Sequence, residues 1–197
     1  MTVHAVTAAA AEGRLPDWAN VSERRRAHIE RVATLLGEWA RTLSLPETEQ
    51  IRWRAVGYLH DALRDASPDE LRPLVPEQLR DVSSKLLHGP AVAERLRREG
   101  VRDEALLRAV AYHTIGHPEL DEVGRALFIA DYIEPGRKHN PATLAVLRAR
   151  MPAARAEVVR DVLRARIERL LAEGREIRPE TAAFWTALSN HGSASAR

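Results

Sequence analysis

Apolar residues in this chain recur at steps of three and four, and no segment keeps a sustained step of two. That is the signature of helices with one buried face rather than of half-buried strands. Aromatic residues make up 5% of the 197, and β-branched residues are sparse, which removes the side chains that strands favour. The expected fold class is therefore all-α.

Proline, glycine and capping residues divide the pattern into elements. Residues 1 to about 16 are Ala-rich and weakly patterned, and read as a frayed helix. Ser22 caps a helix to about Leu43, with Ile29, Val32, Ala33, Leu36 and Ala40 along one stripe. Pro46 suits the first turn of a second helix, whose face is Ile51, Ala55, Val56, Leu59, Ala62 and Leu63. Ser67-Pro-Asp-Glu70 reads as a capping box. Pro76 opens a further helix that ends at Leu87-His88-Gly89-Pro90, which would put His88 in a helix-to-helix corner. Asp103 caps the run Leu106, Leu107, Val110, and another run, Leu120, Val123, Leu127, Phe128, leads to Asp131 before Pro135-Gly136 breaks it. Pro141, Pro152 and Pro179 open the remaining helices. One domain is the default for this length. The expected organisation is an extension over 1–20, a helical domain over 21–190 and a disordered tail over 191–197.

The composition removes several function classes. Thirty Lys and Arg oppose 28 Asp and Glu, so the basic balance is slim and argues against a stable nucleic-acid partner. With no cysteine, disulfides, thiol catalysis and Cys-ligated zinc are out, and any metal must be held by N and O atoms. No run approaches the roughly 18 apolar residues of a membrane span. The N-terminus lacks a basic stretch followed by an apolar core, so the cytoplasm is the expected compartment.

Six residues share one setting, at or near the end of an apolar helical stripe: His28, His60, Asp61, His88, His113 and Asp131. The gaps between them are 32, 1, 27, 25 and 18 residues, and each long gap is about one helix out and one back. Such helices can converge on one cavity. Four imidazoles and two carboxylates suit Fe, Mn, Co, Ni or Zn better than Ca or Mg, and exceed what one tetrahedral zinc needs. On spacing alone two readings stand, a shared site for two metals or separate caps and hydrogen-bonded core residues. The remaining histidines carry less: His4 and His191 fall in the termini, and His117 and His139 read as exposed loop residues. Trp18, Trp39 and Trp53 read as core or staple residues, and the Arg clusters at 24–26 and 95–98 as solvated helix faces.

The local strings add a resemblance. Arg25-Arg-Ala-His28, Leu59-His-Asp61, Leu87-His-Gly-Pro-Ala-Val-Ala93, Ala111-Tyr-His-Thr-Ile-Gly116 and Ile129-Ala-Asp-Tyr-Ile-Glu-Pro-Gly-Arg137 resemble the HD-superfamily metal phosphohydrolases. Within them the YqeK-type branch of bacterial symmetrical diadenosine-tetraphosphate hydrolases is the nearer likeness, over roughly residues 22 to 190. The resemblance implies a single HD-type helical bundle with the metal site in its core cavity. It implies a first metal on His28, His60, Asp61 and Asp131, a second on His88 and His113, and Asp61 bridging both, with iron the associated ion. It makes Arg25, Thr114 and Arg137 candidates for phosphate contacts, while Glu134 reads equally as a structural ion-pair residue. Arg64 stands where the family usually has Lys, so a planar fork replaces a point charge beside the substrate. Asp61 and Arg64 are the expected catalytic residues. Two ions roughly 3.5–4 Å apart would lower the pKa of a shared water for attack on phosphorus. The implied substrate is a small nucleotide, diadenosine tetraphosphate, cut into two ADP, with a homodimer left open. The alternatives are another nucleotide (a dNTP, a nucleoside monophosphate or a guanosine polyphosphate) and a non-catalytic nucleotide-binding module.

Overall fold

The computed structural model describes residues 3–80 and 82–194. Among these the regular structure is helical, without strands. The order is α1 (Ala5–Ala11), α2 (Glu23–Thr42), α3 (Glu47–Leu59), α4 (Pro68–Leu71), α5 (His88–Arg98), α6 (Glu104–Tyr112), α7 (Glu122–Ile133), α8 (Pro141–Arg150), α9 (Arg155–Ala172) and α10 (Pro179–Ala194). No helix among the described residues is long and apolar enough to cross a membrane.

The start signals act as their chemistry requires. The Ser22 hydroxyl accepts from the Arg25 amide at the head of α2, and the Ser67–Glu70 capping box is formed in both directions. The Asp103 carboxylate accepts from the Leu106 amide at 3.0 Å to open α6. Asp121 does the same for Gly124 at the head of α7, also at 3.0 Å.

The helix at the centre is α7. Nine of its twelve residues are buried, including Leu127, Phe128, Ile129 and Asp131. It packs against α2, α3, α6, α8 and α9, and a helix surrounded in this way is apolar nearly all round. The α2–α3 pair is drawn close by Gly57. A Cβ there would lie 2.5 Å from the Ala33 Cα and 2.9 Å from the Ala33 backbone nitrogen.

Four expectations need correction. The stretch from Pro76 forms no α-helix but short 3-10 turns, Glu77–Leu79 and Ser84–Leu86, following another at Arg72–Leu74. Leu79, Val82 and Leu86 keep a helical spacing, but neither turn has a capping side chain to hold its free amides, so no longer helix is nucleated. His88 is not in a corner between helices; it is the first residue of α5. Gly89 and Pro90 follow in the first turn, where an absent proline amide leaves no helical hydrogen bond unmade. At the C-terminus, residues 191–194 of the expected tail continue α10, and 195–197 lie outside the described residues. His139, expected to be exposed, is half-buried, with its ring 5.1 Å from that of Tyr132. In the 1–20 segment, α1 packs on α3 and buries Thr7, Ala10 and Ala11.

Candidate metal centre

Five elements bring the six candidate residues to one place. His28 projects from the middle of α2, and His60-Asp61 follow the last turn of α3. His88 begins α5, His113 caps the end of α6, and Asp131 lies near the end of α7. All six are buried.

Asp61 divides the four imidazoles into two pairs. Its Oδ2 faces His28 Nε2 and His60 Nε2, each at 3.6 Å. Its Oδ1 faces His88 Nε2 at 3.0 Å and His113 Nε2 at 3.4 Å. On the first side Asp131 Oδ1 lies 3.3 Å from His28 Nε2. The clustered donors include the trios His28, His60, Asp131 and His60, Asp61, His113.

The ring orientations are set from behind. His60 Nδ1 is 2.8 Å from the Gly57 carbonyl, and His113 Nδ1 is 2.8 Å from the Val110 carbonyl. A carbonyl only accepts, so each of these rings carries its proton on Nδ1 and presents a lone pair at Nε2. His28 Nδ1 lies 3.2 Å from Glu134 Oε1. Glu134 is in turn held by the Arg31 Nε–H and the Gly136 amide, both at 2.5 Å from its Oε2.

The charge states suit ligands. Burial, with the neighbouring imidazoles, pushes His60 down to about 3 against the pull of Asp61, so it is neutral at ordinary pH. Burial alone would raise Asp61, yet His60, His113 and His88 hold it well below the usual carboxylate range. Asp131 likewise stays ionised against its burial through Arg137, His28 and Arg166. For Glu134, burial is outweighed by His28, Arg31 and the Gly136 amide, and its pKa falls to about 2.

These residues fit metal ions by donor chemistry. His60 Nε2 lies 3.4 Å from His28 Nε2, and His88 Nε2 lies 3.1 Å from His113 Nε2. The lone pairs of His60 and His113 thus point at other ring nitrogens, among ionised carboxylates. Such a set is stable with cations between its members.

The other expected residues divide. Arg25 donates to Asp61 Oδ2 at 2.7 Å. Arg137 donates to the Asp131 carbonyl at 2.8 Å and also pairs with its carboxylate. The Thr114 hydroxyl is 3.1 Å from His113 Nε2. Arg64 is not tied to the cluster: it makes no side-chain hydrogen bond or ion pair among the described residues, though it is near enough to bear on the charge of His88. One participant was not foreseen. Arg166 of α9 donates to Asp131 Oδ2 at 3.0 Å and to the Thr114 carbonyl at 2.8 Å, with its guanidinium 4.5 Å from the centre of the Phe128 ring. It follows Val159, Val162 and Leu163 by seven, four and three, so a cation on a buried stripe was its signal.

Comparison with known proteins agrees with this arrangement. A family model described as HD domain matches residues 25–136, more than half of the chain. The chain is 34% identical over 96 residues to a protein of Halalkalibacterium halodurans named bis(5'-nucleosyl)-tetraphosphatase, symmetrical, covering 46% of this chain and 51% of that one. A protein of the same name from Staphylococcus aureus is 32% identical over 121 residues, covering 58% and 61%. A third, from Bacillus subtilis, is 36% identical over 84 residues, covering 40% and 45%. The chain thus spans about half the length of the curated relatives it matches. Among solved structures, one described as a predicted HD superfamily hydrolase involved in NAD metabolism, from Clostridium acetobutylicum, superposes with a TM-score of 0.76. It is 23% identical and covers 87% of this chain and 92% of that one, a likeness of fold.

Proposed function

The chain belongs to the HD domain family, and we propose that it is a two-metal phosphohydrolase that cleaves diadenosine tetraphosphate into two ADP. The observation that carries this reading is the division of labour at Asp61, one oxygen toward His28 and His60 and the other toward His88 and His113. His28, His60, Asp61 and Asp131 would hold one ion. His88 and His113 would hold the second, with Asp61 shared. The all-N/O donor set suits iron, which we assign on the family likeness, and accommodates Mn, Co, Ni or Zn. The likeness to three proteins named as symmetrical tetraphosphatases supports the substrate. A nucleotide substrate in turn suits action in the cytoplasm.

When bound, the ions supply Lewis acidity and lower the pKa of a water near the phosphorus. The chain's own residues do the rest. His60 and His113 present their Nε2 atoms because the Gly57 and Val110 carbonyls fix the Nδ1 protons. Glu134 orients His28. Arg25, Arg137 and Thr114 stand beside the ligands, where they would take non-bridging phosphate oxygens. Arg64, free of protein partners among the described residues, would take charge that develops on the oxygens around the attacked phosphorus. Water adds to that phosphorus, the central bridging P–O bond breaks, and the two products are both ADP.

The test is product analysis by chromatography after incubating metal-loaded protein with diadenosine tetraphosphate. Two ADP per substrate are expected. ATP with AMP, or no cleavage while a dNTP, a nucleoside monophosphate or a guanosine polyphosphate is consumed, would overturn the assignment.

A further inference from the structure

A cleft of about 310 Å³ opens beside Asp131, Thr114 and Arg137 and runs between α7 and the connection from α9 to α10. Six cationic side chains line it, Lys85, Arg137, Arg166, Arg169, Arg175 and Arg178, against the two carboxylates of Asp131 and Glu176. Asp131 is already neutralised by Arg137 and Arg166. Arg169 and Arg175 share Glu173, which leaves Lys85 and Arg178 as the lining cations without a hydrogen-bonded carboxylate.

The same walls carry polar atoms with nothing to bind. Arg166 Nε, Arg178 Nε and His139 Nε2 are buried without a hydrogen-bond partner among the described residues. Arg178 Nε faces the equally unbonded Glu180 Oε2 at 3.7 Å, so Arg166 Nε and His139 Nε2 are the two with no near partner; buried polar atoms are ordinarily paired, and these two on one cleft call for a ligand. Lys85 makes no side-chain hydrogen bond or ion pair among the described residues, and Arg178 has no carboxylate within hydrogen-bond distance. The approaches of Arg178 to Glu176 and Glu180 are 3.6 and 3.7 Å, longer than a hydrogen bond, and it touches none of the six candidate ligands. Arg175 pairs with Glu173, an exposed residue that does not line the cleft.

We propose that this wall of the cleft is a second phosphate subsite, in which Arg178, with Lys85 and Arg175, holds the nucleoside-diphosphate half of the substrate that lies beyond the cleaved bond. The proposal rests on the two-metal phosphohydrolase reading and deepens it. It makes these cations the selectors of dinucleoside polyphosphates over short phosphate esters. A short phosphate ester has no second phosphate chain for these cations to take.

The experiment has two arms. In the first, Arg178→Gln and Lys85→Gln are compared with the unaltered protein for kcat and KM on diadenosine tetraphosphate and on p-nitrophenyl phosphate. The ratio of kcat/KM between the two substrates is expected to fall about tenfold per variant, carried by KM, with Arg178→Lys restoring much of it. In the second, metal-free protein is titrated calorimetrically with inorganic tripolyphosphate, and Arg178→Gln is expected to weaken binding about tenfold. Cleavage of diadenosine tetraphosphate with an unchanged ratio and unchanged tripolyphosphate binding overturns the subsite alone. Weakened tripolyphosphate binding in a protein that does not cleave diadenosine tetraphosphate keeps the subsite and removes the substrate assignment. Equal losses on both substrates, with a lower melting temperature and no rescue by Lys, mark Arg178 as structural and overturn the proposal.

Discussion

Glu134 is a buried carboxylate whose charge serves a neighbour. It lies 3.2 Å from His28 Nδ1 and is held by Arg31 and the Gly136 amide. An ionised partner behind a ligand imidazole raises its basicity and fixes its ring. Replacing Glu134 by Gln keeps the shape and removes the charge. Metal affinity, measured by competition with a chelator, is expected to fall about 10–100-fold; unchanged affinity would mean that Glu134 serves only to pair with Arg31. At this scale the sequence reads well where a residue type and a helical offset coincide. The six candidate ligands are visible as polar interruptions at the ends of apolar stripes, and the structure buries all six together. Arg166 is not legible in this way, because a cation on a long helix ordinarily faces solvent and its partners, Asp131 and the Thr114 carbonyl, are 35 and 52 residues away.

Among the elements, the α2–α3 pair decides whether His28 and His60 meet. Gly57 lets the two helices touch and also supplies the carbonyl that fixes the His60 ring. Gly57→Ala would press a methyl group against the Ala33 backbone, which cannot swing aside. A loss of about 1–3 kcal/mol in denaturant unfolding is expected, with reduced metal content. The head of α2 has its own support, since Asp65 accepts from the Ser22 amide and hydroxyl, each at 2.8 Å. Slight burial would raise the Asp65 pKa, but these hydrogen bonds, with Arg25 and Arg64, lower it. A depressed folded pKa stabilises above the unfolded value of about 3.9 and is lost as pH falls through the folded one. Asp65→Asn should therefore lower the melting temperature at pH 7 by ~2–4 °C, and the gap should narrow as pH falls below about 4. A constant gap would remove the charge from the account. The helices with clear caps and stripes, α2, α3, α6 and α7, were legible for local reasons. The turns between Arg72 and Leu86 were not, because Leu79, Val82 and Leu86 keep a helical spacing that the uncapped chain does not follow.

Over the whole molecule, α7 gathers α2, α3, α6, α8 and α9, and the ends of α3, α5 and α6 meet at Asp61. The long gaps between successive candidate ligands are the chain leaving the centre and returning, through helices in most cases and through α4 and the 3-10 turns between Asp61 and His88. What the sequence could not show is the cleft, whose walls come from α7, α9, α10 and a 3-10 turn far apart in order. The proposed two-metal centre stands on one carboxylate, Asp61, shared by both ions. Its most direct test is metal content by emission spectroscopy on protein purified without chelator, for the natural chain and for Asp61→Ala. About two equivalents are expected in the first, and less than one, with turnover lost, in the second. A single equivalent in the natural chain, or two equivalents and full turnover with Asp61→Ala, would contradict it.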